Sequence, residues 1–151
     1  MENLRNLENR IQTLEDIENI KKLKARYFNT IDRKLWLELA DCFSEDGVWE
    51  SQRLPVKVEG AEAIVKFIKG REDGDHIINT HQGHNIEIEI INKTTARSIC
   101  QSYHYREDIK ENIRRQNAVF YEDNYIKEKG CWKIKYTRIL PIYLNESKTG
   151  D

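Results

Sequence analysis

Residues 76–105 read HIINTHQGHNIEIEIINKTTARSICQSYHY, and the alternation within this stretch decides the fold. Two runs rich in Ile, Thr and Tyr, His76 to Ile91 and Thr95 to Tyr105, flank the turn pair Asn92-Lys93, which is a strand–turn–strand signal. Period two sets Asn79, His81 and Gly83 on one face of the first strand. It sets Thr80, Gln82, His84, Ile86, Ile88 and Ile90 on the other, unless Gly83 bulges. A glycine two residues after a histidine marks either a sheet bend or a place where something, a ligand being one candidate, approaches the strand closely. On the second strand Ala96, Ser98, Cys100, Ser102 and His104 share a face, so small side chains leading to a histidine leave room for a cavity.

Downstream, Asn117 to Tyr125 and Cys131 to Leu144 give two more strands about the turn Glu128-Lys129-Gly130, completing an antiparallel meander. Trp132, Ile134, Tyr136 and Arg138 fall on one parity of the last strand, so Arg138 is expected on the apolar side, where a charge wants a partner or an anionic ligand. Upstream the pattern is helical. Leu4, Leu7, Ile11, Leu14, Ile17, Ile20, Leu23 and Tyr27 recur every three or four residues, the period of a one-sided helix. Thr13 followed by Asp16 reads as a capping box, which divides this run into an N-terminal extension over residues 1–13, suited to clasp a second subunit, and a first domain helix from Leu14 to about Ile31. Leu35 to Phe43 gives a short second helix ended by a turn at Ser44, Glu45, Asp46 and Gly47, with a strand starting at Val48. A third helix follows Gly60, with Gly70 as its C-cap. Helices first and strands afterwards make the class α+β, with one domain over residues 14–146 and a dispensable, flexible tail over 147–151.

Composition narrows the function. The 25 Lys and Arg balance 26 Asp and Glu, so no field of one sign steers the chain to nucleic acid or an anionic membrane. Cys42, Cys100 and Cys131 are odd in number and far apart, which argues against a disulfide framework and a zinc site. No apolar leader and no membrane-length apolar run is present, and a cytoplasmic protein is the expectation. A Gly-rich phosphate loop, HExxH and GxSxG are all missing, leaving cofactor-free, metal-free chemistry or simple binding.

The order of elements and three stretches resemble the SnoaL-like branch of the nuclear-transport-factor-2-like superfamily. The stretches are IENIKKLKARYFNTIDRKLWLELADCFSEDGVWE (17–50), THQGHNIEIEI with TTARSICQSYHY (80–90 and 94–105), and VFYEDNYIKEKGCWKIKYTRI (119–139). The resemblance implies a cone, a strongly curved sheet closed at one end by helices, assembled as a homodimer or homotrimer. Its dehydratases, which act on bile acids and scytalone, use a tyrosine and an aspartate near the end of the first helix, a histidine after the third helix and an acid or histidine on the next strand. Tyr27, Asp32, His81 and His104 match those places. The implied reaction is loss of water from a small hydrophobic cyclic, polyketide-like or steroid-like hydroxy-carbonyl compound. In it His81 moves the proton, Asp32 holds the imidazole, Tyr27 donates to the carbonyl and His104 steadies the leaving group. Trp36, Trp49, Phe43 and Phe67 are the expected apolar walls. Isomerisation, cyclisation and plain ligand binding remain open on the same residues.

Overall fold

The computed structural model describes residues 1–148. The meander is the frame: β3 (Ile77–Ile90), β4 (Thr95–Asp108), β5 (Ile113–Glu128) and β6 (Cys131–Lys148) pair antiparallel in sequence order. β6 also pairs parallel with β1 (Phe43–Ser51), which pairs antiparallel with β2 (Val56–Glu59), giving the order β2-β1-β6-β5-β4-β3. The helices α1 (Glu2–Asp32), α2 (Trp36–Ala40) and α3 (Ala61–Glu72) cover the concave side of this curved, mostly antiparallel sheet. The α+β cone expected from the sequence is the observed architecture. Among the described residues no helix is long and apolar enough to cross a membrane, and the three cysteines are free.

Several boundaries differ from the sequence reading for identifiable reasons. The run at the N-terminus is one helix, because the Thr13 hydroxyl donates to the Asn9 carbonyl four residues back instead of capping a new start. Leu4, Leu7, Ile11 and Leu14 are exposed, and burial begins at Asp16, whose carboxylate accepts the Trp132 indole N–H at 2.9 Å and pairs with Lys127. That polar clamp fixes α1 against β6. Ser44, Glu45, Asp46 and Gly47 form no turn between elements; they lie inside β1, at the irregularity between Phe43 and Val48 where its register with β6 shifts. Gly70 sits within α3, and Gly60, at φ +94°, is the residue before its first turn. Ser147 and Lys148, expected in the tail, extend β6 and pair with Arg114 and Ile113; the rest of the expected tail, 149–151, lies outside the described residues.

On β3 the parity holds through Gly83 and then changes. A bulge between His84 and Glu87, with Asn85 at φ +50°, lets Ile86, Ile88 and Ile90 pack toward the core on the side that His81 faces. Gly83 itself is the close approach: a Cβ there would stand 2.7 Å from Phe28 Cε2 and 3.3 Å from Cys100 Sγ. The body that approaches this strand is the Phe28 ring of α1. We expect Gly83→Ala to force that ring aside and cost about 1–3 kcal/mol, read as a lowered Tm in thermal unfolding; an unchanged Tm would show that Phe28 moves freely.

Candidate active site

Asp32 closes α1 at its C-terminal end, where a carboxylate faces the negative end of the helix dipole and needs donors to hold it. It finds two on one residue. The His81 backbone N–H donates to Oδ2 at 2.7 Å, and His81 Nδ1 lies 2.6 Å from Oδ1. The carboxylate can only accept, so Nδ1 carries a hydrogen, and in the neutral ring Nε2 is the bare nitrogen. The side chains are 7% exposed for His81 and 20% for Asp32, so the pair is enclosed without being sealed.

The imidazole is held from both sides as well. Phe28 stacks on one face with centroids 5.5 Å apart, and His104 on the other at 3.8 Å and 12° between planes. His104 is there because the strand register sets His81 opposite His104 and His104 opposite Asn117, one row across β3, β4 and β5. Asn79 fixes the tautomer of His104. Its Nδ2 donates to Glu72 Oε2 at 3.0 Å, so its Oδ1 must be the acceptor facing His104 Nε2 at 3.2 Å, and Nε2 carries the hydrogen. Burial, then the neighbouring His81 and the guanidinium groups of Arg53 and Arg106, hold the His104 pKa well below 6.5. His104 is therefore neutral. A buried neutral histidine that must take up a proton on unfolding makes stability fall as pH drops below 6.5. The added slope is up to about 1.4 kcal/mol per pH unit. We expect urea unfolding between about pH 7.5 and about pH 5 to show a shallower loss in His104→Asn than in the wild type; equal slopes would remove His104 from this account.

A cavity opens beside this row, lined by Tyr27, Ile31, Trp49, Phe67, His81, His104, Val119, Tyr121 and Ile139, with Ser51, Arg53, Arg71, Glu72 and Asn117 among its polar members. Tyr27 is buried, and its hydroxyl oxygen accepts the Trp49 indole N–H at 3.1 Å. Burial pushes its phenol far up, so it stays protonated and serves as a donor. Of the sequence-derived wall residues, Trp49 and Phe67 line the cavity, their rings 5.4 Å apart.

Three candidates do not join them. Phe43 lies behind the cavity, edge-on to Tyr27 in the core. Trp36 donates its indole N–H to Asp73 and stays outside the lining. Arg138 points to the outer sheet face between Glu50 and Glu122, at 4.0 and 3.9 Å. The cause is a parity change on β6: Trp132 and Ile134 are buried, then Thr137 and Ile139, with the register shift facing Asn124 and Tyr125.

Sequence reasoning missed Phe28, Asn79, Glu72, Asn117 and Arg53. Asn79 was within reach, since it shares a face with His81; Arg53 sits in the β1–β2 turn and has no periodic signal. Among the described residues no cluster of three His, Cys, Asp or Glu side chains could hold a metal ion.

A helix-capped curved sheet thus holds an aspartate–histidine pair beside a cavity with apolar and polar walls. The chain belongs to the SnoaL-like domain family, whose model matches residues 12–138. Solved structures share the fold. A type 2 hexachlorocyclohexane dehydrochlorinase, LinA, is 17% identical at a TM-score of 0.83, with 91% of this chain and 92% of that one covered. A candidate scytalone dehydratase from Novosphingobium aromaticivorans DSM 12444 is 21% identical at 0.79, with 92% of both chains covered. A type 3 LinA from Novosphingobium barchaimii LL02 is 17% identical at 0.81, covering 91% and 93%.

Proposed function

We propose that this chain is a cofactor-independent lyase that removes water from a small hydrophobic hydroxy-carbonyl compound, with Asp32 and His81 as its acid–base pair. The observation that carries the reading is the double clasp of Asp32 on His81, which leaves a bare, oriented Nε2. His81 Nε2 takes the proton α to the carbonyl, and the C–H electron pair becomes the new C=C bond as the β C–O bond breaks. The imidazolium, stabilised by Asp32, returns its proton to the departing oxygen, so water leaves and the ring is neutral again. The Tyr27 O–H, polarised by the Trp49 donation to its oxygen, supports the carbonyl oxygen as charge builds there. His104 keeps Nδ1 as an acceptor for the substrate hydroxyl, since its Nε2 hydrogen is committed to Asn79.

The names of the structural neighbours support an elimination, since a dehydrochlorinase and a scytalone dehydratase both form a C=C bond by losing a leaving group. Ile99 and Phe120, exposed on the outer face of the sheet, support the expected homodimer or homotrimer. The test is incubation with aryl and alicyclic β-hydroxy-ketones in D2O, followed by proton NMR. Appearance of the unsaturated ketone, absent in His81→Ala, is the expected result. Deuterium exchange at the α carbon without loss of water would move the reading to isomerase or cyclase, and neither signal would leave the cavity a binding pocket.

A further inference from the structure

Arg53 has no place in the chemistry above, and its setting is unusual for a surface arginine. It sits half-buried at the cavity wall in the turn between β1 and β2. Among the described residues it forms no ion pair; its hydrogen-bond partner is Asn117. The Asn117 amide lies between the His104 carbonyl and the Arg53 guanidinium. It is satisfied in one orientation, with Nδ2 donating to His104 O at 3.1 Å and Oδ1 accepting from Arg53 Nη1 at 3.1 Å. A guanidinium has five N–H donors, and among the described residues one of them meets an acceptor.

The charges nearby do not neutralise it. Glu72 lines the same cavity, but its Oε2 is taken by Arg106 Nε at 2.9 Å and by Asn79. Burial first, then Arg115 and Arg71, press on the Arg53 charge, while Glu72 and Glu146 support it from a distance; Glu146 is itself engaged by Arg115 at 2.6 Å. A half-desolvated cation beside other cations, oriented by a neutral amide and facing an apolar cavity, is a site prepared for an anion. The planar fork matches a carboxylate in bidentate fashion.

We propose that Arg53 is a carboxylate-binding subsite of this cavity: the ligand carries an acid group that docks on its guanidinium while its apolar body lies along Trp49 and Phe67 toward His81. This rests on the lyase reading only for what happens at His81, and narrows that substrate class to hydroxy-carbonyl acids. Asn117 couples the two ends, because it holds Arg53 with its oxygen and the His104 strand with its nitrogen.

The test uses two probes of one shape, 3-phenylpropanoate and 3-phenylpropanamide, titrated against the full chain with tryptophan fluorescence and calorimetry as readouts. We expect the acid to bind about tenfold to a hundredfold more tightly than the amide, the range of a charge-assisted hydrogen-bonded pair. In Arg53→Gln the two should bind alike, with amide affinity kept, whereas Arg71→Gln should keep the preference. Equal binding of acid and amide by the wild type, or a preference that survives Arg53→Gln, overturns the subsite. The two readings fail separately. An acid preference lost in Arg53→Gln, in a protein that eliminates water from nothing, keeps the subsite and drops the lyase. Equal binding of acid and amide by a wild type that does eliminate water from hydroxy-ketones drops the subsite and keeps the lyase.

Discussion

Asp32→Asn should lower turnover on any hydroxy-ketone that the protein dehydrates by about a thousandfold to ten-thousandfold, the loss seen when a base is held in the wrong tautomer. The variant keeps nearly every atom in place, so the argument is about protons. The His81 backbone N–H must donate, and it will claim the single oxygen that the asparagine retains. The Nδ2 group of the asparagine then faces His81 Nδ1 and donates to it, which leaves the ring hydrogen on Nε2. The nitrogen that should receive the substrate proton is occupied. Ring nitrogen NMR of the neutral form reads this directly: a bare Nε2 in the wild type and a protonated Nε2 in Asp32→Asn, with an unchanged fold by circular dichroism. A variant whose tautomer flips while turnover stays high would remove His81 as the base. One whose tautomer does not flip would remove Asp32 as its orienter.

The parts of this site that were legible in the sequence are those that depend on one element at a time. Parity on β3 put His81 inward, and parity on β4 put Ser98, Cys100, Ser102 and His104 on one face, as burial shows for the first three and the stack on His81 shows for His104. What depends on two elements was not legible. The row His81–His104–Asn117 is a matter of register, and register is set by bulges and turns that no single strand announces. The same physics misplaced Arg138, since counting by two along β6 runs through a parity change. Phe28 falls outside the helical repeat read from the sequence, although its ring fills the space that Gly83 leaves and braces His81. Thr13 and Asp16 fit the pattern of a capping box, but Asp16 was already committed to Trp132, more than a hundred residues away, a contact that only the folded chain brings about.

The largest effect on stability should come from a pair that the mechanism does not touch. Lys24 Nζ lies 2.8 Å from Asp123 Oδ2, with the two side chains 3% and 0% exposed. Tyr125 and Thr137 donate hydroxyl hydrogens to the same carboxylate, and the ammonium sits 3.8 Å over the Tyr121 ring centroid. A buried ion pair is weak evidence of net stabilisation, because desolvating two charges offsets most of their attraction. Removing one member is another matter. Asp123→Ala strands the ammonium in the core and takes the acceptor from two hydroxyls, so we expect a loss of about 3–5 kcal/mol, or roughly 6–20 °C in Tm for a chain of this size. Lys24→Met should cost less, since the carboxylate keeps its Tyr125 and Thr137 donors. Lys24→Met combined with Asp123→Asn should recover much of the loss of Asp123→Ala, because no net charge is left buried and the amide oxygen still accepts from Thr137. Thermal and urea unfolding of the three variants decide it. Equal losses in all three would mean that the site answers to volume and not to charge. The ordering Asp123→Ala worst and the double variant mildest would show that the charge, once enclosed beneath the Tyr121 wall of the cavity, is what must be matched.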